Sequence, residues 1–263
     1  MRVRVGDYGV YAYTGSRLPD RTAPNIVFVH GSANDHSVFA LQSRYFAYHS
    51  RNVYAVDLPG HGNSEGEPLR NVETLADWLI AFFNAAELKE VTLVGHSLGS
   101  LAVLEAAARH PERVSRLALL GTAVPMAVND QLLAAAAAND HVAFELINGW
   151  SFSAKRLLGG NPWPGMWMTG QAMRLMERVR PNVLYADLVA CREYTNGLRA
   201  AAGVWCSSLM LLGARDIMTP AKAARDLTAT LRDVSVVTLV DCGHSMMSEQ
   251  PDAVLDALRQ FLL

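Results

Sequence analysis

Cysteine is scarce in this chain: only Cys191, Cys206 and Cys242 occur, an odd number at wide spacing with no C-x-x-C pair. That pattern excludes a disulfide framework and a zinc cluster, and it marks the three as buried thiols. Charge is sparse as well. Asp, Glu, Lys and Arg make up 18% of residues and the net charge is -2. No stretch concentrates Lys and Arg enough to neutralise a row of phosphates, so nucleic acid is not an expected partner. No apolar run reaches the roughly 18 residues that a bilayer span requires. The first eight residues alternate charged and apolar side chains and lack the apolar centre of a secretory signal. The expectation is therefore a soluble, cytoplasmic protein with no membrane partner. No H-E-x-x-H or closely spaced His/Asp set indicates a metal, and Gly60, Gly62 and Gly66 do not form a G-x-G-x-x-G opening a helix, so no metal and no dinucleotide cofactor are expected. Nothing in the sequence sets an oligomeric state.

What is present is apolar: hydrophobic residues reach 51% of 263 positions, enough for one principal core without staples. β-rich runs recur at 3–5, 10–14, 26–29, 53–56, 91–94, 117–120, 209–212 and 234–240. Most are continuously apolar rather than alternating, as strands covered on both faces by helices should be. Helix-length segments lie between the later runs, at 72–86, 98–109, 221–231 and 252–262. That alternation indicates an α/β protein with a mostly parallel eight-stranded sheet and an antiparallel edge made by the first two strands. From 123 to 206 the rhythm stops, and helix-like pieces appear at 130–147, 171–179, 183–194 and 198–202. The expected division is a core of residues 1–122 and 207–263 with a helical cap, 123–206, inserted in it.

One short stretch carries chemistry. Gly95-His96-Ser97-Leu98-Gly99 joins the β run at 91–94 to an alanine-rich helical segment. A serine hydroxyl is a poor nucleophile until a base takes its proton, and the base needs a group to orient it. The G-x-S-x-G pattern permits a strained strand-to-helix turn with serine at its tip and aims the following amide at a developing oxyanion. Ser97 would attack, and the Leu98 N–H would be one donor.

With these residues in view, the chain resembles the α/β-hydrolase superfamily, in particular its cap-bearing branch of esterases, C–C hydrolases and cofactor-free haloperoxidase-like enzymes. The resemblance runs through VFVHGSANDHSVF (27–39), VDLPGHGNSEG (56–66), VGHSLGS (94–100), LLGARDIMTP (211–220) and DCGHSMMSEQP (241–251). It implies the chain order Ser, Asp, His. The base is then His244, in the loop after the β run ending at Val240, because a near-neutral imidazole can accept the serine proton and return it to the leaving group. The orienting acid is Asp216, in the loop after 209–212; Asp241 is a weaker rival, three residues from His244 in the same turn. By resemblance, the residue after His30-Gly31 supplies the second oxyanion amide, which makes Ser32 the choice and Ala33 the reserve. His30, His61 and His96 sit in motif loops and are expected to brace turns rather than to react.

The cap is rich in large soft side chains, which suit an apolar pocket as well as a small core of their own. Met126, Trp150, Trp163 and Trp167 are the candidates for the pocket wall. Arg156, Arg174, Arg178 and Arg192 are the cations available to hold a substrate carboxylate. The resulting expectation is a serine hydrolase that cleaves a carboxylic ester of apolar or aromatic character, its partner a small-molecule ester or related carbonyl compound. Serine at the elbow argues against the haloalkane dehalogenase and epoxide hydrolase relatives, which carry aspartate there. Two rivals stand: a C–C hydrolase of a dienoic diketo acid using the same triad, and a lyase or ligand receptor on the same fold.

Overall fold

A computed structural model describes residues 1–20, 22–161 and 165–263. Eight strands form one sheet: β1 (Arg2–Val5), β2 (Tyr8–Tyr13), β3 (Asn25–Val29), β4 (Asn52–Val56), β5 (Val91–His96), β6 (Val114–Leu120), β7 (Ser207–Gly213) and β8 (Val234–Leu239). Their order is β1-β2-β4-β3-β5-β6-β7-β8. β1 pairs antiparallel with β2 and β2 with β4; all later pairings are parallel. The inner strands β3 and β4 are buried almost throughout, which is why their sequences read as unbroken apolar runs.

Helices cover both faces. α1 (Ala40–Ala47) and α12 (Pro251–Leu262) lie with the cluster that contains Ile26, Phe28, Val94 and Leu209, while α2 (Val72–Ala85) and α3 (Leu98–Arg109) lie with the cluster that contains Val27, Leu93, Leu117 and Met210. Adjacent residues of one strand thus serve opposite cores, as the period of two requires. α2 starts where Asn71 accepts the Thr74 N–H at 3.1 Å, and its apolar stripe buries Leu75, Leu79, Phe82 and Phe83. α12 starts at Pro251, whose missing N–H costs nothing in the first turn.

Between β6 and β7 come α4 (Asp130–Ala137), α5 (Val142–Ser151), α6 (Ala154–Leu157), α7 (Met168–Met176), α8 (Val183–Glu193) and α9 (Gly197–Gly203). Leu132, Ala136, Ala143, Ile147, Met176, Leu184 and Leu188 make a small separate cluster there. The expectation of one helix over 130–147 is corrected: the chain breaks at Asn139, with φ 52, and re-enters helix at Val142. Asparagine tolerates that left-handed backbone better than most residues. α1 went unread in the sequence. The segment at 221–231 opens with a 3-10 turn, Ala221–Ala224, before α10 (Arg225–Thr230), and α11 (Met246–Glu249) is a single turn ahead of α12.

Candidate active site

Parallel strands place their following loops on one edge of the sheet. β3 and β5 are neighbours, with Val29 opposite Gly95, and on the other side of β3 lies β4. The crevice at the carboxyl ends beside such a switch in strand order is where open α/β sheets bind ligands. Ser97 stands there at φ 54, ψ -123, between the end of β5 and the start of α3. A non-glycine residue at positive φ is strained, and the surroundings must hold it. Its N–H donates to the Leu120 carbonyl at 3.0 Å, and its carbonyl accepts the Ser100 N–H at 2.8 Å. Gly99 is glycine because α3 lies hard against β3: a Cβ there would come within 2.3 Å of the Val29 carbonyl oxygen. The Leu98 N–H, first in the helix, has no carbonyl behind it within the helix.

Two strands further along, β7 and β8 run in register with Gly213 opposite Leu239. A Cβ on Gly213 would come within 2.4 Å of the Gly243 carbonyl oxygen, so glycine lets the two following loops close on each other. They bring Asp216 and His244 together: Oδ2 of Asp216 lies 2.7 Å from Nδ1 of His244. Asp216 Oδ1 accepts the Met218 and Thr219 amides, each at 2.8 Å, and Oδ2 also accepts the Thr219 hydroxyl at 2.6 Å. Burial alone would raise the Asp216 pKa. The His244 ring and the Thr219 donors outweigh it and hold the carboxylate well below its ordinary range. With Nδ1 turned to Asp216, Nε2 is the nitrogen left for chemistry. Among the described residues Ser97 Oγ makes no side-chain hydrogen bond; Ser97 and His244 line the same cavity.

His96 and Glu249 hold the His244 loop from behind. His96 Nε2–H donates to the His244 carbonyl at 3.0 Å; burial, and then the neighbouring His244, push its pKa down to about 3, so the ring is neutral. Glu249 is fully buried and accepts the Gly243 N–H at 2.9 Å and the Ser153 hydroxyl at 2.5 Å. Asp241 is elsewhere, at φ 56, half exposed, paired with Arg215.

The cavity holds about 480 Å³ and is bounded by Ser97, His244 and Ser32 at one end and by Met126, Leu132, Ile147 and Trp150 of the helical block. Ser32 contributes to the wall, whereas the Ala33 N–H is taken by Asp187 Oδ2 at 2.8 Å. Met126 and Trp150 line this cavity. Trp167 does not: it precedes α7, is 73% exposed and lies against Gly170. Trp163 lies outside the described residues. The cavity wall among the described residues has no Lys, Arg, Asp or Glu. Arg174 pairs with Glu177 and Arg192 with Asp130, while Arg156 donates to the Gly160 carbonyl. Thr219, Asn34, Leu132 and Ile147 were not foreseen; for Thr219 the signal was a hydroxyl residue three positions past the expected acid.

One cluster of metal-ligand type does occur among the described residues: Asp35, His36 and Asp57. Its atoms serve the loops instead. Asp57 Oδ1 accepts the His36 N–H and faces His36 Nδ1, both at 2.8 Å; Oδ2 accepts the Asn63 N–H at 2.8 Å; and Asp35 Oδ1 accepts the Ser37 N–H at 2.8 Å. No helix of the described residues is long and apolar enough to cross a membrane.

Comparison with known proteins agrees with this architecture. The chain is 33% identical over 243 residues to the pimeloyl-[acyl-carrier protein] methyl ester esterase of Chromobacterium violaceum, covering 88% of this chain and 91% of that protein. It is 30% identical to the protein of the same description in Aromatoleum aromaticum, covering 87% and 94%. The enol-lactonase of Burkholderia xenovorans LB400 superposes with a TM-score of 0.88 at 20% identity, over 100% of this chain and 99% of that one, and so shares the fold. With the model of the alpha/beta hydrolase family matching residues 26–257, nearly its whole length, the chain belongs to that family of enzymes.

Proposed function

We propose that this ester hydrolase works through Ser97 as nucleophile, His244 as general base and then general acid, and Asp216 as the acid that orients His244. The reading rests above all on the 2.7 Å contact of Asp216 with His244 beside a serine at φ 54 on one cavity wall. Ser97 Oγ attacks the ester carbonyl as His244 Nε2 takes its proton; the C–O bond to the alcohol then breaks and Nε2 returns the proton to the departing oxygen. A water, deprotonated by the same nitrogen, releases the acid from Ser97. The Leu98 and Ser32 amides bind the oxyanion in both steps. Ala33 is not the donor, because its N–H already has Asp187.

The block of residues 123–206 is the cap over this site, and the apolar wall it supplies suits an uncharged acyl or aromatic group. The absence of a cation from the described wall favours an ester over a dienoic acid, whose carboxylate would need a partner. The relatives named for a methyl ester on a carrier protein supply the first substrate to try beside simple acyl esters. Incubation with a fluorophosphonate followed by mass analysis is expected to find the adduct on the Ser97 peptide, and Ser97→Ala is expected to lose about 10⁶ in kcat, as when a triad nucleophile is removed elsewhere. An unlabelled Ser97, or retained turnover in the purified variant, would refute the assignment.

A further inference from the structure

The loop after β3 does not hold its own shape. Ala33 stands at φ 52 and is fully buried, a backbone state that persists in a non-glycine residue only where the surroundings over-determine it. Its side chain belongs to the small cluster of the cap helices, not to either cluster of the sheet. Its N–H donates to Oδ2 of Asp187 on α8, 154 residues further along, at 2.8 Å. The same oxygen lies 3.0 Å from Nε2 of His61, while His61 Nδ1 lies 3.0 Å from the Pro59 carbonyl. A carboxylate and a carbonyl only accept, so the two contacts suit a ring that carries a proton on each nitrogen. Burial would lower its pKa; the Asp187 charge and hydrogen bond, with the Pro59 carbonyl, more than offset this and raise it.

The other ionisable groups around that ring are Asp57, after β4, and His30, after β3. His30 Nδ1–H donates to the Gly31 carbonyl and Nε2 accepts the Leu58 N–H; burial and then His61 push its pKa down to about 4, which leaves it neutral. Asp187 is therefore the acceptor that ties the two motif loops to α8. One turn along the helix, Cys191 meets the Ser32 side chain. Residues four apart on a helix share a face, so α8 grips two successive residues of the loop at once.

We infer that Asp187 is a positioning residue for the oxyanion hole: by taking the Ala33 N–H it fixes the strained turn that leaves the Ser32 N–H for the substrate oxygen, so the cap helix α8 completes the catalytic apparatus as well as roofing it. This rests on the Ser97 reading above. Without Asp187 a buried amide loses its acceptor and the turn loses what holds it at positive φ.

The test compares wild type, Asp187→Ala and Asp187→Asn on p-nitrophenyl acetate and on two inhibitors. An alkyl trifluoromethyl ketone adds to the serine hydroxyl and forms an oxyanion; the corresponding carboxylic acid does not. Asp187→Ala is expected to lower kcat by about 10² to 10³, the usual loss for one oxyanion donor. KM should stay within about threefold, affinity for the ketone should fall by about the same factor as kcat, and affinity for the acid should hold. Asp187→Asn keeps an acceptor oxygen for Ala33 but loses the charge facing His61, and it should fall between the two. Unchanged kcat in Asp187→Ala, or equal weakening of ketone and acid, would overturn the inference, since a merely structural loss would not tell the inhibitors apart. If Asp187→Ala has no cooperative melt, Asp187→Asn carries the same comparison, and an unaltered ratio of ketone to acid affinity there overturns it. Failure of the Ser97 reading has another signature: wild type would be indifferent to the ketone.

Discussion

The two walls of the cavity are built by different rules. The floor includes loops leaving β5, β6, β7 and β8, held by hydrogen bonds to the neighbouring strand or loop: Ser97 N–H to Leu120, Gly121 N–H to Leu211 and Arg215 N–H to Cys242, all at 2.8 to 3.0 Å. Among the described residues the roof consists of α4, α5 and α8 with the residues that lead into α4; these helices are eight to eleven residues long, too short to be stable alone, and with α7 they share a small cluster apart from the sheet. What the difference teaches is a division of labour. Groups proposed to react with one another sit on loops of the sheet, and groups that shape the space for substrate sit on short helices, one of which, α8, also reaches the loop after β3 through Asp187.

The strongest way to break the comparison is to damage the floor while sparing the roof. Asp216→Asn keeps the size of the side chain but replaces an acceptor facing His244 Nδ1 with a group that can donate, which favours the wrong tautomer. A fall of about 10⁴ in kcat is expected, measured on purified protein with an unchanged melt. Loss below tenfold would mean that the floor is not where the proton is managed.

A smaller effect sharpens the junction between the walls. The His61 pKa is raised in the folded protein, so its pair with Asp187 stabilises fully below the unfolded value of roughly 6.5 and loses that contribution as pH rises through the folded value. Melting temperatures measured from pH 5 to 9 should therefore decline more steeply with pH in wild type than in Asp187→Asn. The difference between the two curves isolates this pair from His36, whose pKa is also raised. Parallel curves would show that the pair does not tie roof to floor. The smallest effect belongs to the outer surface of the roof: Trp167→Ala should change kcat/KM for apolar acyl esters by less than about twofold, because an exposed side chain away from a site rarely alters it. A large loss would place Trp167 over the cavity in the working enzyme.

Much of the floor was legible in the sequence because each part of it is local. A buried parallel strand shows itself as an apolar run, and the residue proposed for chemistry lies within a few positions of its end, Ser97 directly after β5, Asp216 three residues after β7 and His244 five residues after β8, the last two picked out by the resemblance to a family. The roof was less legible. A helical stripe tells which residues are apolar but not which neighbour they face, so Leu132 and Ile147 looked no different from cap core, and Trp167 looked like a pocket residue when it is exposed. The break at Asn139 hid inside a run of helix formers, where local propensity favours continuation. Asp187 had no signal at all, since an acid on a helix reads as a solvated face until its partners are known.

The sequence by itself determined the eight β runs in their chain order and the glycine-flanked turn that carries Ser97, because these follow from periodicity and glycine placement over short spans, while the choice of Asp216 and His244 came from the resemblance to a family. The tertiary structure alone decided how wide the cavity is, which side chains face it and that the Ala33 amide near Gly31 is already bonded. Those depend on contacts such as Ala33 with Asp187, between groups 154 positions apart, and no local pattern encodes a distance that the folded chain must close.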